Sequence, residues 1–269
     1  MSRFLETMAD RSRRRAEEAA RRRPLAGLRQ SVLDGPRPRS LGGFGKVFDL
    51  IAEIKPRSPS EGSFPERVPV TAAIGYQEGG AGMISVLTEP SEFGGSLATL
   101  RAVSDVVSVP VLAKDFLIDP YQVYEARAAG GDGVLVIIRI LDDDRVRDVL
   151  DAVGEAGMFA LIEAFDSDDL RRVGAIAPGR DDCLVGVNCR DLESLDVAPD
   201  RHGELARLLP AGPVAVAESA MGGPGDVERV ASLGYRSALV GSALMRSADS
   251  ARLVREMVDS GRRSMTVTS

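Results

Sequence analysis

VPVLAKDFLIDPYQVYEARAAGGDGVLVII, residues 109–138, holds a complete strand–helix–strand unit. Its two flanking runs, VPVLAK and GVLVII, are almost continuously apolar, as in strands buried on both faces. Between them Asp119 and Pro120 supply a helix start, and Gly130–Gly131 supply its stop. A helix connecting two such strands implies that they run parallel. The same alternation recurs along the chain. Strand-like runs are FDLIAEI (48–54), GMISVL (82–87), MFALIEAF (158–165), CLVGVN (183–188), PVAVAES (213–219) and SALVGS (237–242). Helical segments with Ser, Asp or Pro starts and Gly stops lie between them, among them SLATLRAVSDV, DDDRVRDVLDAVGEAG and GPGDVERVASLG. Eight strand–helix units in one uninterrupted stretch predict a closed (β/α)8 barrel. An open doubly wound sheet is the alternative, but no G-x-G-x-x-G follows the first strand.

Residues 1–47 precede the first strand. MADRSRRRAEEAARRR predicts a helix, and SVLDGPRPRSLGGFG a loop punctuated by Pro and Gly. The organisation expected is an N-terminal helical extension, 1–47, on a barrel of 48–269. The length of 269 residues suits one such barrel, and 44% hydrophobic with 28% charged residues is a soluble, globular composition. No apolar run reaches the roughly 18 residues of a membrane span, and the basic N-terminus has no apolar core of a secretory signal. A cytoplasmic location and no membrane partner are expected.

The net charge of −6 gives no reason to expect nucleic-acid binding. The first 30 residues carry nine Arg against four acidic groups, which reads as an amphipathic helix with its arginines in water. Cys183 and Cys189 make neither a disulfide framework nor a zinc site, and are expected as small buried thiols. The single histidine, His202, argues against His-dependent triads and metal centres. Among 34 basic residues only Lys46, Lys55 and Lys114 are lysines. Where Arg serves for generic charge, a retained Lys is a candidate for proton exchange, which Arg cannot perform.

Barrel active sites lie at the C-terminal ends of the strands. That rule selects Glu53 and Lys55, two apart and so on one face of the first strand. It also selects Lys114 on the third, Glu163 on the fifth, Asn188 with Arg190 on the sixth, Glu218–Ser219 on the seventh and Gly241–Ser242 on the eighth. Buried polar groups are costly, and their gathering at one end of the barrel is the pattern of a site. The turns Ser219–Gly223 and Gly241–Ser242, each entering a helix, suggest a phosphate cradle of backbone N–H groups.

The blocks IAEIKPRSPSEG, GMISVLTEPSEFGGS, PVLAKDFLIDPYQVYEARAAGGDGVLVI, ALIEAF, GVNCRDLESLDV, VAESAM and ALVGSALMR resemble, in order, the motifs of the indole-3-glycerol-phosphate synthases of tryptophan biosynthesis. The resemblance covers residues 50 to 250 or so, and the family also carries a helix ahead of its barrel. It implies conversion of 1-(2-carboxyphenylamino)-1-deoxyribulose 5-phosphate to indole-3-glycerol phosphate, CO2 and water, without cofactor. Lys114 is then implied as the general acid and Glu163 as its acid/base partner. Lys55 would hold the anthranilate carboxylate and share in proton donation, and Glu53 would orient it. Asn188, Arg190, Glu218 and Ser219 would position the sugar chain and closing ring. Ser58, Ala220, Gly241 and Ser242 would hold the phosphate, and Phe93, Leu135 and Leu192 would form an apolar cup for the aromatic ring. A lysine placed near a second cation would have its pKa lowered toward neutrality. The expected partner is a phosphorylated small molecule, and the chain is expected as a monomer or weak homo-oligomer.

The chain departs from the family pattern at Pro56 and Glu61, usually basic, at Ala220 in place of Gly, and at Phe165 in place of a polar residue. Phe165 shares its strand face with Glu163 and is expected to reach the mouth. These departures leave open a paralogue acting on a substituted anthranilate. Two further readings are a sugar-phosphate isomerase or epimerase, and a barrel that binds a phosphorylated ligand without turnover. The single His and the positions of the two cysteines oppose the former; Lys55, Lys114 and Glu163 together oppose the latter.

Overall fold

The computed structural model of the chain describes residues 3–267, apart from 65–66, 192–193 and 195. Eight strands form the closed barrel: β1 (Asp49–Ile54), β2 (Met83–Leu87), β3 (Val111–Lys114), β4 (Gly133–Ile137), β5 (Phe159–Ala164), β6 (Cys183–Asn188), β7 (Val214–Glu218) and β8 (Ser237–Val240). Every neighbouring pair is parallel, and β1 closes the ring by pairing with both β8 and β2. Closure leaves no barrel strand with an unpaired edge. All strand residues are buried except the partly exposed Lys114 and Val214, which matches the unbroken apolar runs in the sequence.

The helices begin where the polar start signals stand. Before α4 (Leu97–Ser104), Ser96 accepts the amide of Thr99. Asp119 accepts the amide of Tyr121 and caps α5 (Pro120–Ala128). Asp142 accepts from Arg145 before α6 (Asp143–Glu155), and Asp166 from Asp168 and Asp169 before α7 (Ser167–Ile176). The remaining ring helices are α3 (Pro69–Glu78), α8 (Arg201–Ala206), α9 (Pro224–Ser232), α10 (Ser242–Arg246) and α11 (Ser250–Val267). Three elements differ from expectation. The eighth strand ends at Val240, because Gly241 and Ser242 open α10. A short helix α2 (Leu25–Leu33) intrudes on the expected loop, burying Leu28 and Val32. The long helix α11, which the strand–helix count did not single out, packs on α9 and α3.

The predicted N-terminal helix α1 (Arg3–Arg22) buries Leu5, Met8, Ala9, Ser12 and Ala16, a single stripe at helical spacing. Leu5, Met8 and Ala9 join the apolar cluster of the barrel itself, so the extension shares the barrel's core. Most of its arginines face water as expected. Arg15 does not: it pairs with Asp115 at 2.5 Å and Glu89 at 3.3 Å, at the C-terminal ends of β3 and β2. The helix thus covers one side of the barrel mouth.

The opposite rim is braced by Asp132, just ahead of β4. Its buried carboxylate accepts the backbone amides of Arg39 and Val111 and pairs with the Arg39 guanidinium at 2.9 Å. Removing one partner of a buried ion pair strands the other, at a cost of about 3–5 kcal/mol. Asp132→Ala is therefore expected to lower the urea-unfolding free energy by about 3 kcal/mol. Because Asp132 sits at the end remote from the mouth, kcat at a temperature where both proteins are folded should not change.

Candidate active site

A cavity of about 640 Å³ opens at the C-terminal ends of the strands. Lys55, Glu53, Lys114, Glu163, Asn188, Arg190, Glu218, Ser219, Phe93, Leu135, Ser58, Ala220, Gly241 and Ser242 all line it. Leu192 lies outside the described residues. Phe165 is not part of the lining. Strand β5 ends at Ala164, and the Phe165 ring is buried beneath the Arg139 guanidinium, 4.5 Å from its centroid. Alternation along a strand therefore misplaced Phe165 by carrying the pattern one residue past the strand's end.

The floor of the cavity is a cluster of charge. Lys114 Nζ lies 3.7 Å from Glu163 Oε2 and 3.9 Å from Glu218 Oε2. Lys55 Nζ lies 3.0 Å from Glu53 Oε2. The side-chain amide of Asn188 donates to Glu163 Oε1 at 3.0 Å, and its oxygen accepts from Ser219 Oγ and from the Arg190 backbone amide, both at 2.9 Å. Two glycines make room for this cluster. A Cβ on Gly186 would stand 2.0 Å from Glu218 Oε1, and one on Gly241 would stand 2.2 Å from Glu53 Oε2. The carboxylates occupy space that any other residue at those positions would fill. His202 steadies the strand end from outside: its buried Nε2 hydrogen-bonds the Glu218 carbonyl at 3.1 Å, and burial pushes its pKa down to about 4.

The electrostatics follow from one ammonium shared among carboxylates. Burial acts to lower the pKa of Lys114, but Glu163, Glu218 and Glu53 outweigh it and hold the ammonium above its ordinary value. This corrects the expectation of a lysine lowered by a neighbouring cation, because Lys55 is drawn to Glu53 and the nearest charges to Lys114 are negative. Burial likewise acts to raise Glu53, yet Lys55 and Lys114 bring its carboxyl below the ordinary range. Glu218 goes the other way. Burial and the adjacent Glu163 raise it well above 4.5, against the pull of Lys114. Glu163 Oε2 and Glu218 Oε1 are buried and make no hydrogen bond among the described residues.

Beside the charges stands an apolar wall. Phe93 and Phe116 have ring centroids 6.1 Å apart, and Phe4 of α1 meets Phe116 edge-on at 6.0 Å. Leu135 and Ile137 continue the surface. Phe93 is positioned by Glu89, whose buried carboxylate accepts the backbone amides of Ser91, Glu92 and Phe93 at 2.8, 2.7 and 3.1 Å. Phe4 and Phe116 escaped the sequence reading. The first lies more than 100 residues from its neighbour in the chain, and the second follows Lys114 inside a motif whose charges drew the attention.

Across the cavity, the turns after β7 and β8 meet Ser58 from the loop after β1. Ser219 and Ala220 both take positive φ, 67° and 57°, in the left-handed region that favours glycine. The Gly222 and Gly223 amides are bound to Asp226, which caps α9. Lys55 Nζ donates to Ser242 Oγ at 3.3 Å. Two charged groups not assigned to the cradle from sequence also stand there: Glu61, hydrogen-bonded by Ser242 Oγ, and Arg246, 3.0 Å from Glu61. Among the described residues, no group of three His, Cys, Asp or Glu side chains is arranged to hold a metal ion. Cys183 and Cys189 are buried free thiols, and burial pushes them up to about 12 and about 11.

Two expectations follow. The folded state holds a proton on Glu218 at pH values where the unfolded chain, titrating near 4.5, has lost it. Its burial therefore costs stability progressively as pH rises above that value. Glu218→Gln should be more stable than wild type at neutral pH, with the gain vanishing below pH 4.5 in denaturant titrations at several pH values. Ala220→Gly should raise stability by about 0.5–1 kcal/mol, the left-handed penalty of an L-residue less the added freedom of glycine in the unfolded chain.

The barrel resembles solved structures in fold. The 3-hexulose-6-phosphate synthase of Salmonella typhimurium matches with a TM-score of 0.65 at 16% identity, over 81% of this chain and 100% of that one. The phosphoribosylanthranilate isomerase of Thermotoga maritima matches at 0.56 and 9% identity, over 80% and 99%. Sequence relatives are much nearer. An indole-3-glycerol phosphate synthase of a Nocardioides species is 46% identical over 238 residues, spanning 87% of this chain and 89% of the relative. One of a Parafrankia species is 42% identical over 252 residues, 92% of each. The family profile described as indole-3-glycerol phosphate synthase matches residues 5–257, and the chain belongs to that family.

Proposed function

We propose that the chain closes the indole ring, converting 1-(2-carboxyphenylamino)-1-deoxyribulose 5-phosphate to indole-3-glycerol phosphate with loss of CO2 and water. The observation that carries this reading is the placement of Lys114 between Glu163 and Glu218, at the junction of an apolar wall and a polar cradle. A substrate with an aromatic head and a phosphate tail would span that junction with its carbonyl near the ammonium.

Ring closure joins the ring carbon bearing the carboxylate to the sugar carbonyl carbon. The carbonyl oxygen gains negative charge and needs a proton. Lys114, whose ammonium the surrounding glutamates hold above its ordinary pKa, is suited to supply it, because the developing alkoxide is more basic than an amine. The C–CO2 bond then breaks, and its electron pair restores the aromatic ring. In the last step the new hydroxyl leaves as water with a proton from an acid, and a base takes the proton from the adjacent carbon. We assign these transfers to Glu163, tethered by Asn188 and in ion-pair contact with Lys114. A protonated Glu218 would donate a hydrogen bond toward the same oxygen. Lys55 would take the substrate carboxylate, with Glu53 fixing its position. Asn188, Arg190 and Ser219 would orient the sugar chain; Ser58, Ala220, Gly241 and Ser242 would receive the phosphate. Anchoring both ends bends the substrate toward its reactive geometry. Burial of Phe165 removes one of the four departures that left a ring-substituted substrate open; Pro56, Glu61 and Ala220 remain.

Indole fluorescence on addition of the substrate tests the reading. Wild type should form product, and Lys114→Ala should lose kcat/KM by about 10^2-fold or more. Absence of product with correctly folded wild type would remove the assignment.

A further inference from the structure

Glu61 is an anion standing where an anion should bind. The loop after β1 folds into a small hairpin, Arg57–Ser58 against Gly62–Ser63, and carries Glu61 at its tip. Its carboxylate accepts the hydroxyl of Ser242 and pairs with Arg246 at 3.0 Å. The same Ser242 oxygen accepts from Lys55 Nζ at 3.3 Å, so Lys55, Ser242 and Glu61 form one chain of hydrogen bonds. Arg246 and Lys55 both lie over the Phe64 ring, each 5.5 Å from its centroid. Ser242 and Arg246, two polar partners a phosphate would seek on this side of the rim, are thus engaged by a side chain of the protein itself. The Glu61 carboxylate takes the one hydroxyl proton of Ser242 that a phosphate oxygen would receive, and its charge opposes a phosphate dianion brought to the same guanidinium.

We infer that Glu61 is an internal competitor for the phosphate cradle: it fills the site in the empty enzyme and is expelled by the phosphate of the substrate, which inherits Arg246 and Ser242. The inference rests on the reading of this rim as a phosphate cradle. Expulsion requires only rotation of the Glu61 side chain away from the rim. The exchange replaces one set of charge-assisted hydrogen bonds by another, so a bare phosphate gains little from it. The full substrate adds the contacts of its aromatic end and so retains a net gain. Glu61 therefore lowers the affinity of the cradle for any phosphate, and the complete substrate stays bound because the contacts of its aromatic end offset that cost.

The test is calorimetric titration of the folded full-length protein with inorganic phosphate, for wild type, Glu61→Gln, Glu61→Ala and the double variant Glu61→Gln/Arg246→Met. Both single variants should bind phosphate about tenfold more tightly than wild type, and the double variant should lose that gain. Phosphate should correspondingly become a stronger competitive inhibitor of indole formation in Glu61→Gln. If wild type and Glu61→Gln bind phosphate equally, or if the variants bind it more weakly, Glu61 is not a competitor and the cradle reading stands alone. If none of the proteins binds phosphate saturably while indole is still formed, the rim is not the cradle and both ideas fall. If indole is not formed but Glu61→Gln binds phosphate more tightly, the competitor stands and the ring-closing assignment falls.

Discussion

A single ammonium held among three carboxylates organises the mouth of this barrel. Lys114 is largely withdrawn from water, and an uncompensated buried charge there would be prohibitive. Glu163 and Glu218 at 3.7 and 3.9 Å, with Glu53 beyond, provide the compensation. The balance is uneven, because one lysine cannot neutralise three carboxylates. Lys55 relieves Glu53, and burial beside Glu163 raises the pKa of Glu218. Crowding thus shifts neighbouring groups in opposite directions, raising Lys114 and Glu218 and lowering Glu53.

The rest of the architecture serves that cluster. Barrel closure brings strands distant in sequence to one rim, and Gly186 and Gly241 leave the gaps into which Glu218 and Glu53 project. The N-terminal helix contributes from above. Phe4 extends the aromatic wall, and Arg15 ties Glu89 and Asp115 together beside Lys114. Since Glu89 in turn gathers the amides that place Phe93, one arginine outside the barrel braces both the charged floor and the apolar wall.

Much of this was readable in the chain. The eight apolar runs and their start and stop residues follow local physics, so the strands and most helices fall where periodicity puts them. The rule that barrel chemistry sits at the C-terminal strand ends then selected Lys55, Lys114, Glu163 and Glu218, all of which line one cavity. What could not be read depends on contacts across the fold. The raised pKa of Lys114 is set by which charges close upon it, and sequence spacing says nothing of that. Arg15 looked like one more solvated arginine until its partners, 74 and 100 residues away, were brought alongside it. Phe165 was misplaced because alternation holds only while the strand lasts. Glu61 was visible as a departure in charge, but that its carboxylate lies on Ser242 and Arg246 required the turn of the hairpin and of α10 together.

The central claim is that a phosphate end and an aromatic end are gripped on opposite sides of Lys114. A crystal structure with indole-3-glycerol phosphate bound tests it most directly. The phosphate is expected at the turns after β7 and β8, the indole ring against Phe93, Phe116 and Leu135, and Lys114 Nζ within hydrogen-bonding reach of the glycerol chain. A ligand bound with its phosphate elsewhere, or with Lys114 turned away to bulk water, would contradict it.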